Sequence, residues 1–419
     1  MAHGHEHEVV IKDEKFVMTA KDKRVSMILM GGGLLLALIG ILTNHSEHEM
    51  LMKRIWANLL ADGYFFFIIS ICATAFIAIK AIANAGWHTS IKRIPEAMGT
   101  FLPFAAAVLI IVLIGGGSEV YHWMHHGITD PTSPNYDKVI AGKSWYLNQG
   151  FFWGRLIVFF AVWIFITRKF RKWSLQEDIE GGLSFFDKTY KTAAFFTFFF
   201  AFTFSMFSWD IMMSIDTHWF STIFSIYNFA TGWVSAITIM ALTAIQLKKR
   251  GYLSIVNEDV IHDLGKMMFA FSIFWTYMWV AQMLLIWYAN LPEEVTYYLD
   301  RTKNGWGFHF YLNIALNFII PFFGLMARTG KRNTWWLSFV GCIILFGHWN
   351  DVYLMTFAGA MKDHHGISHA PGWGLMEFGF LAMFVGGFIY VLLTSLSKAN
   401  LYPTKHPYIM ESALHDVGV

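Results

Sequence analysis

Charge is the first thing this sequence lacks. Asp, Glu, Lys and Arg make up 14% of its 419 residues, against about 25% in a soluble domain. Hydrophobic types account for 56%, and the mean hydropathy is +0.45. A water-soluble fold of this length cannot hide so much apolar surface. A bilayer accepts it, because lipid tails replace water against the outward side chains. The formal net charge of +2 leaves no basic field to attract nucleic acid. Cysteine is almost absent, with only Cys72 and Cys342. An iron–sulfur cluster needs about four thiolates and a covalently held c-type haem needs C-x-x-C-H, so this chain alone supplies neither. Alternating stretches of about ten residues, the mark of a barrel strand, are missing too. The polar stretch from Met1 to Arg24 has no apolar core of the signal-peptide kind, so the first hydrophobic helix is expected to be retained and to target the chain. His3, His5 and His7 in that stretch read as part of a solvated tail.

What is present is a succession of apolar runs. Ten are long enough to cross a hydrocarbon layer of roughly 30 Å, which takes about 20 helical residues: 25–43, 55–83, 98–122, 150–168, 189–213, 222–247, 264–290, 308–327, 334–358 and 373–396. Helix is expected because no water reaches the bilayer interior, so each backbone N–H and C=O must be satisfied within its own segment. The fold class is therefore an all-α polytopic membrane protein. It has a cytoplasmic polar tail 1–24, a ten-helix transmembrane domain 25–396 and a cytoplasmic C-terminal tail 397–419. Of the 31 Lys and Arg, 23 fall on the side of the two tails, 7 on the other and Arg155 within a span. Positive residues favour the cytoplasmic side, which places both tails there. Gly31-Gly32-Gly33 in span 1 predicts a close helix contact, and Pro321 in span 8 a kink.

Ionisable residues at membrane depth are costly and are functional candidates for that reason. Asp62, Glu119, His122, Arg155, Asp210, His309, Asp351 and Glu377 fall in the outer half of the layer or at its edge. His348 lies nearer the middle, in Phe346-Gly347-His348-Trp349-Asn350-Asp351. Glu119, His122 and His126, and separately His348 and Asp351, stand three or four residues apart, the spacing of one helix face. A carboxylate beside an imidazole holds or passes a proton near neutral pH. The pattern predicts a relay with His348 and Asp351 at its centre and Asp210, Asp216, Glu119 and His122 toward the outer exit. On the cytoplasmic side Asp263 and Lys266 share a face and mark the mouth of an inner proton path. The alternative for each residue is structural. Asp62 and Arg155 then form a buried ion pair that fixes packing, and Glu119, Arg155, His309 and Glu377 sit at helix ends facing water. A b-type haem needs two inward histidines at matching depth. No deep pair stands out, so haem is not expected, and no metal site is either.

Two stretches are more distinctive: Ser208-Trp209-Asp210-Ile211-Met212-Met213-Ser214-Ile215-Asp216-Thr217-His218-Trp219-Phe220-Ser221-Thr222 and Leu285-Ile286-Trp287-Tyr288-Ala289-Asn290-Leu291-Pro292-Glu293-Glu294. Together they resemble the ActF-type membrane subunit of bacterial alternative complex III, a quinol:cytochrome c (or high-potential acceptor) oxidoreductase. That subunit is similar to the NrfD-like polysulfide-reductase membrane subunits. The resemblance implies two four-helix bundles, spans 2–5 and 6–9, with spans 1 and 10 peripheral. It implies a non-redox subunit of the bacterial inner membrane that supports quinol oxidation, and possible proton translocation. Its partners would be an iron–sulfur subunit, c-type haem subunits, a sister NrfD-like subunit that holds the main quinol site, the quinone pool and bound phospholipid. From the residues alone, a proton-coupled secondary transporter and a purely structural anchor stay open. A transporter is expected to show paired repeats with helices broken in matching positions, and the likeness between Phe204–Trp219 and Met283–Glu294 is too slight to establish duplication.

Overall fold

The computed structural model describes residues 11–363 and 366–416; the histidines of the N-terminal stretch lie outside them. The protein is an all-α, multi-pass membrane protein. Its ten spanning helices are span 1, Ala20–Leu42; span 2, His48–Ile82; span 3, Arg93–Gly115; span 4, Gln149–Glu180; span 5, Ser184–Ile215; span 6, Ile223–Lys249; span 7, Glu258–Ala289; span 8, Trp306–Met326; span 9, Thr334–Ala360; and span 10, Leu375–Leu396. Each overlaps the run expected from hydropathy, although span 3 stops at Gly115, short of the expected end at 122, and several are longer than a hydrocarbon layer requires. Span 4 has 32 residues, about 48 Å at 1.5 Å per residue. Polar caps fix several starts. Thr19 and Asp22 cap span 1 reciprocally, and Asn148, Asn257 and Asn333 accept backbone N–H groups at spans 4, 7 and 9. Such a cap contributes about 1 kcal/mol.

Spans 2–5 close one four-helix ring and spans 6–9 a second. Spans 2 and 5 of the first meet spans 6 and 9 of the second, with span 2 touching both. Spans 2 and 6, at this seam, are the most enclosed, with 78% of their central windows buried, against 17% for span 1. Spans 1 and 10 lie outside the rings, packed on each other, and span 10 also rests on spans 2 and 3. Between helices in lipid, close van der Waals approach replaces the hydrophobic effect. A Cβ on Gly33 would lie 2.5 Å from the Met383 backbone nitrogen, and one on Gly379 would lie 2.4 Å from that of Ala37. Of the glycine triplet in span 1 only Gly33 makes this contact. Gly31 and Gly32 face open space, because consecutive helical residues point about 100° apart.

Span 8 carries the expected irregularity as a π-helical stretch, Ala315–Ile319, just before Pro321. Proline has no N–H for the carbonyl four residues back, at Asn317, and the ladder widens there. The two described ends of the chain share one face of the molecule, the terminal face. Leu401 N–H donates to the Glu14 carbonyl at 2.8 Å, Asn400 to Asp13 at 2.8 Å and Ser90 N–H to Ser412 Oγ at 2.9 Å. Cys72 is a buried free thiol in span 2, and Cys342 an exposed one in span 9.

Candidate functional site

Span 9 carries Asp351 into the centre of the second ring, where it is 1% exposed. Each other helix of that ring sends it a donor. Tyr227 Oη of span 6 and Asn313 Nδ2 of span 8 (2.8 Å) donate to Oδ1. Thr231 Oγ1 of span 6 (3.0 Å) and Trp275 Nε1 of span 7 (3.1 Å) donate to Oδ2. Trp275 Nε1 also lies 3.0 Å from Thr231 Oγ1, and Asn317 Nδ2 donates to Asn313 Oδ1 at 2.5 Å, extending the network into the π-helical stretch. These partners are neutral dipoles, with no cation among them.

The expected pairing of Asp351 with His348 does not form. His348 is fully buried, and neither ring nitrogen has a hydrogen-bond partner. Its ring stands 5.5 Å from that of Trp275 at 76°. The carboxylate oxygens are already occupied by four donors, and the indole that touches the imidazole spends its N–H on the carboxylate and Thr231.

From Asp351 a line of polar groups leads to the face opposite the termini. A cavity of about 10 Å³, bounded by Tyr227, Gln282, Tyr297, Tyr298, Arg301 and Asp351, has room for about one water. Arg301 is 3% exposed and donates to Asp216 Oδ2 at 2.9 Å and to the Met355 carbonyl at 3.1 Å, with its guanidinium 3.5 Å over the Tyr297 ring. Lys362 Nζ donates to Asp216 Oδ1 at 2.9 Å and pairs with Asp300 at 3.2 Å. Burial pushes the Asp216 carboxyl up, but Lys362 and Arg301 overcome that and hold it at about 2. Beyond lies a cavity of about 700 Å³ whose walls include Glu119, His122, Asp216, His218, Asp300 and Lys362. Burial, then the neighbouring His125 and His218, lower the pKa of His122.

Glu119, His122 and His126 do not share a helix face. Span 3 ends at Gly115, a single turn covers Gly117–Val120, and Tyr121 is extended. Trp56 lies against Gly115 and Gly116, where a Cβ would meet its ring at 2.6 and 2.2 Å, and the chain turns there. Glu119 and His122 still line one cavity, while His126 is exposed outside it.

Elsewhere the candidate charges are mostly paired, with Asp62 the exception. Arg155 pairs with Asp210 rather than Asp62, through two hydrogen bonds of 2.9 Å, and donates to the Tyr146 carbonyl at 3.1 Å. Asp62 instead accepts Trp349 Nε1 at 2.7 Å across the seam, and its Oδ2 has no partner. Glu377 does not face water. It is fully buried, accepts Arg54 at 2.7 and 2.8 Å, and ties span 10 to span 2. His309 is buried too, with Nδ1 3.0 Å from Asn350 Oδ1. Asp263 and Lys266 do share a face, but as an ion pair of 2.5 Å whose carboxylate also meets His415 at 2.7 Å.

The residues that complete the site, Tyr227, Thr231, Trp275, Asn313, Arg301 and Lys362, lie outside the sequence-derived set. Arg301 and Lys362 had a signal, being two of only seven cations on their face. A cavity of about 960 Å³ runs from Lys21, Asp22 and Arg250 to Phe65, Phe66, Phe346 and Trp349. Its deep end is aromatic, and the one polar atom there, Trp349 Nε1, is spent on Asp62, so a quinone ring would find no hydrogen-bond partner at that end. No protein-family model and no curated protein matches this chain.

Proposed function

We propose that this chain is an integral subunit of a respiratory quinol-oxidising complex of the alternative complex III type, in the bacterial inner membrane with both termini cytoplasmic, and that it carries protons rather than electrons. The observation that carries this reading is Asp351, a buried carboxylate held only by neutral donors, with polar groups leading from it to one face. A carboxylate without a bound cation changes its protonation without breaking an ion pair. Oxidation of a quinol releases two electrons and two protons. The electrons pass to iron–sulfur and c-type haem subunits, and the sister membrane subunit holds the main quinol site. The protons use Asp351, Tyr227, the one-water cavity and the Arg301–Asp216–Lys362 group to reach the outer cavity. Toward the terminal face the next buried polar residues are Ser235, Ser272, Asn317 and His348, and beyond them Gly341 packs closely on Thr238, Leu242 and Met268.

The interruption of span 8 beside Asn313 and Asn317 favours a second reading, a proton-coupled transporter. Against it, the other internal interruption, at Thr100–Phe101, falls in the second helix of its ring and not the third. Purification from native membranes in mild detergent, with mass spectrometry of co-purifying chains, separates the readings. The respiratory reading expects an iron–sulfur subunit, c-haem subunits and a second ten-span chain. Recovery of this chain alone or as a homo-oligomer sinks it, and uptake by the isolated chain in liposomes puts the transporter in its place.

A further inference from the structure

Spans 3 and 4 enclose a groove of about 660 Å³ near the terminal face. Its deeper wall is apolar, formed by Pro103, Phe104, Ala107 and Ile164, and Phe104 is 56% exposed toward the lipid. Its rim carries Arg168, Arg171 and Lys172, which share one face of span 4 by their spacing. The order of depth is consistent. Ile164 lies one turn deeper than Arg168, and Ala107 about two turns deeper than Thr100 at the rim.

Among the described residues none of these three cations has a carboxylate at ion-pair distance, and no acidic residue lines the groove. The nearby carboxylates are already engaged: Glu96 and Asp178 by Arg93 at 2.8 and 2.5 Å, and Glu177 by Lys92 at 3.9 Å. Arg171 donates through Nη2 to the Ser395 carbonyl at 2.6 Å, while its shielded Nη1 has no acceptor. A buried guanidinium N–H without an acceptor is a cost that a bound anion removes. The larger groove beside span 1 differs, because its Arg250 is paired with Asp22 at 2.8 Å.

We propose that the groove between spans 3 and 4 binds an anionic phospholipid, its phosphate on Arg171, Arg168 and Lys172 and an acyl chain along Phe104, Ala107 and Ile164. Basic pockets between spanning helices suit anionic headgroups, and a volume of about 660 Å³ lies within the range of ligand cavities, about 300–1,000 Å³. The inference is independent of the respiratory role.

The test uses the full chain with whatever chains accompany it from native membranes. The protein is exchanged into detergent with phosphatidylglycerol or phosphatidylcholine, and retained lipid is counted by native mass spectrometry. Phosphatidylglycerol is expected to be retained at least about tenfold better. The triple variant R168Q/R171Q/K172Q should weaken its retention roughly a hundredfold, at about fivefold per cation. Ala107→Phe keeps every cation but blocks the acyl path, and should also lose the lipid; its exposed site makes misfolding an inadequate explanation. Inorganic phosphate at millimolar concentration should not displace the lipid. Equal retention of the two lipids, retention unchanged in either variant, or displacement by free phosphate would overturn the proposal.

Discussion

Replacing Asp351 separates its role in proton movement from its role in holding four helices together. In Asp351→Asn the retained oxygen can keep Tyr227 and Asn313, if the amide nitrogen takes the Oδ2 position. Trp275 then keeps Thr231 Oγ1 as acceptor at 3.0 Å, and Thr231 keeps the Tyr227 carbonyl at 3.2 Å. The loss is the charge assistance of a hydrogen bond or two, about 1–3 kcal/mol. In Asp351→Leu the Tyr227 hydroxyl and the Asn313 amide face no acceptor, at about 1–3 kcal/mol each, so about 2–6 kcal/mol in all. The asparagine variant should therefore assemble with a slightly lowered unfolding midpoint, and the leucine variant should fail to accumulate. An asparagine cannot carry the proton, and loss of a positioned proton carrier costs about 10²-fold or more in rate. Quinol:acceptor turnover and proton release, measured together on the assembled Asp351→Asn complex, should both fall by about that factor. Wild-type turnover with the wild-type number of protons per quinol would refute the relay.

Tyr227→Phe removes the next group on the outward line and one of the four donors to Asp351 while keeping the carboxylate itself, and should slow proton release less than Asp351→Asn in the same assay. Arg155→Leu strands the Asp210 carboxylate in the first ring and should cost about 3–5 kcal/mol, most of it recovered by Arg155→Leu with Asp210→Leu; denaturant unfolding in detergent measures both. Asp216 has its pKa depressed from 3.8 to about 2, so it contributes stability above about pH 4 that is lost as pH falls through 2. The difference is about 2 kcal/mol, and Lys362→Gln should shrink this acid-labile part in pH-dependent thermal unfolding. Gly33→Leu should part span 1 from span 10 while leaving the rings folded, seen as faster proteolysis of the first helix at unchanged unfolding of the remainder.

The ten spans were legible because one physical rule, the length of helix needed to cross lipid, writes itself directly into composition. The site was legible only in part, because its partners lie on different helices. Asp351 stands out in span 9 as a lone carboxylate among apolar residues, yet nothing local says that Tyr227, Thr231, Trp275 and Asn313 will meet it. His348 has the spacing of a partner and is not one, since an i, i+3 pair shares a face without having to touch. Asp62 and Arg155 failed as a pair because each had a competitor from another helix, Trp349 and Asp210. The outcome distinguishes the two rings. Each carries an aspartate on its fourth helix, Asp210 and Asp351. The first is neutralised by a bidentate guanidinium, and removing its charge strands a buried cation. The second is held by hydroxyl, indole and amide donors, with no cation among them. On the proposed reading the second is the one that gains and loses a proton, and it is the one from which tyrosines, a water-sized cavity and the Asp216 cluster lead outward.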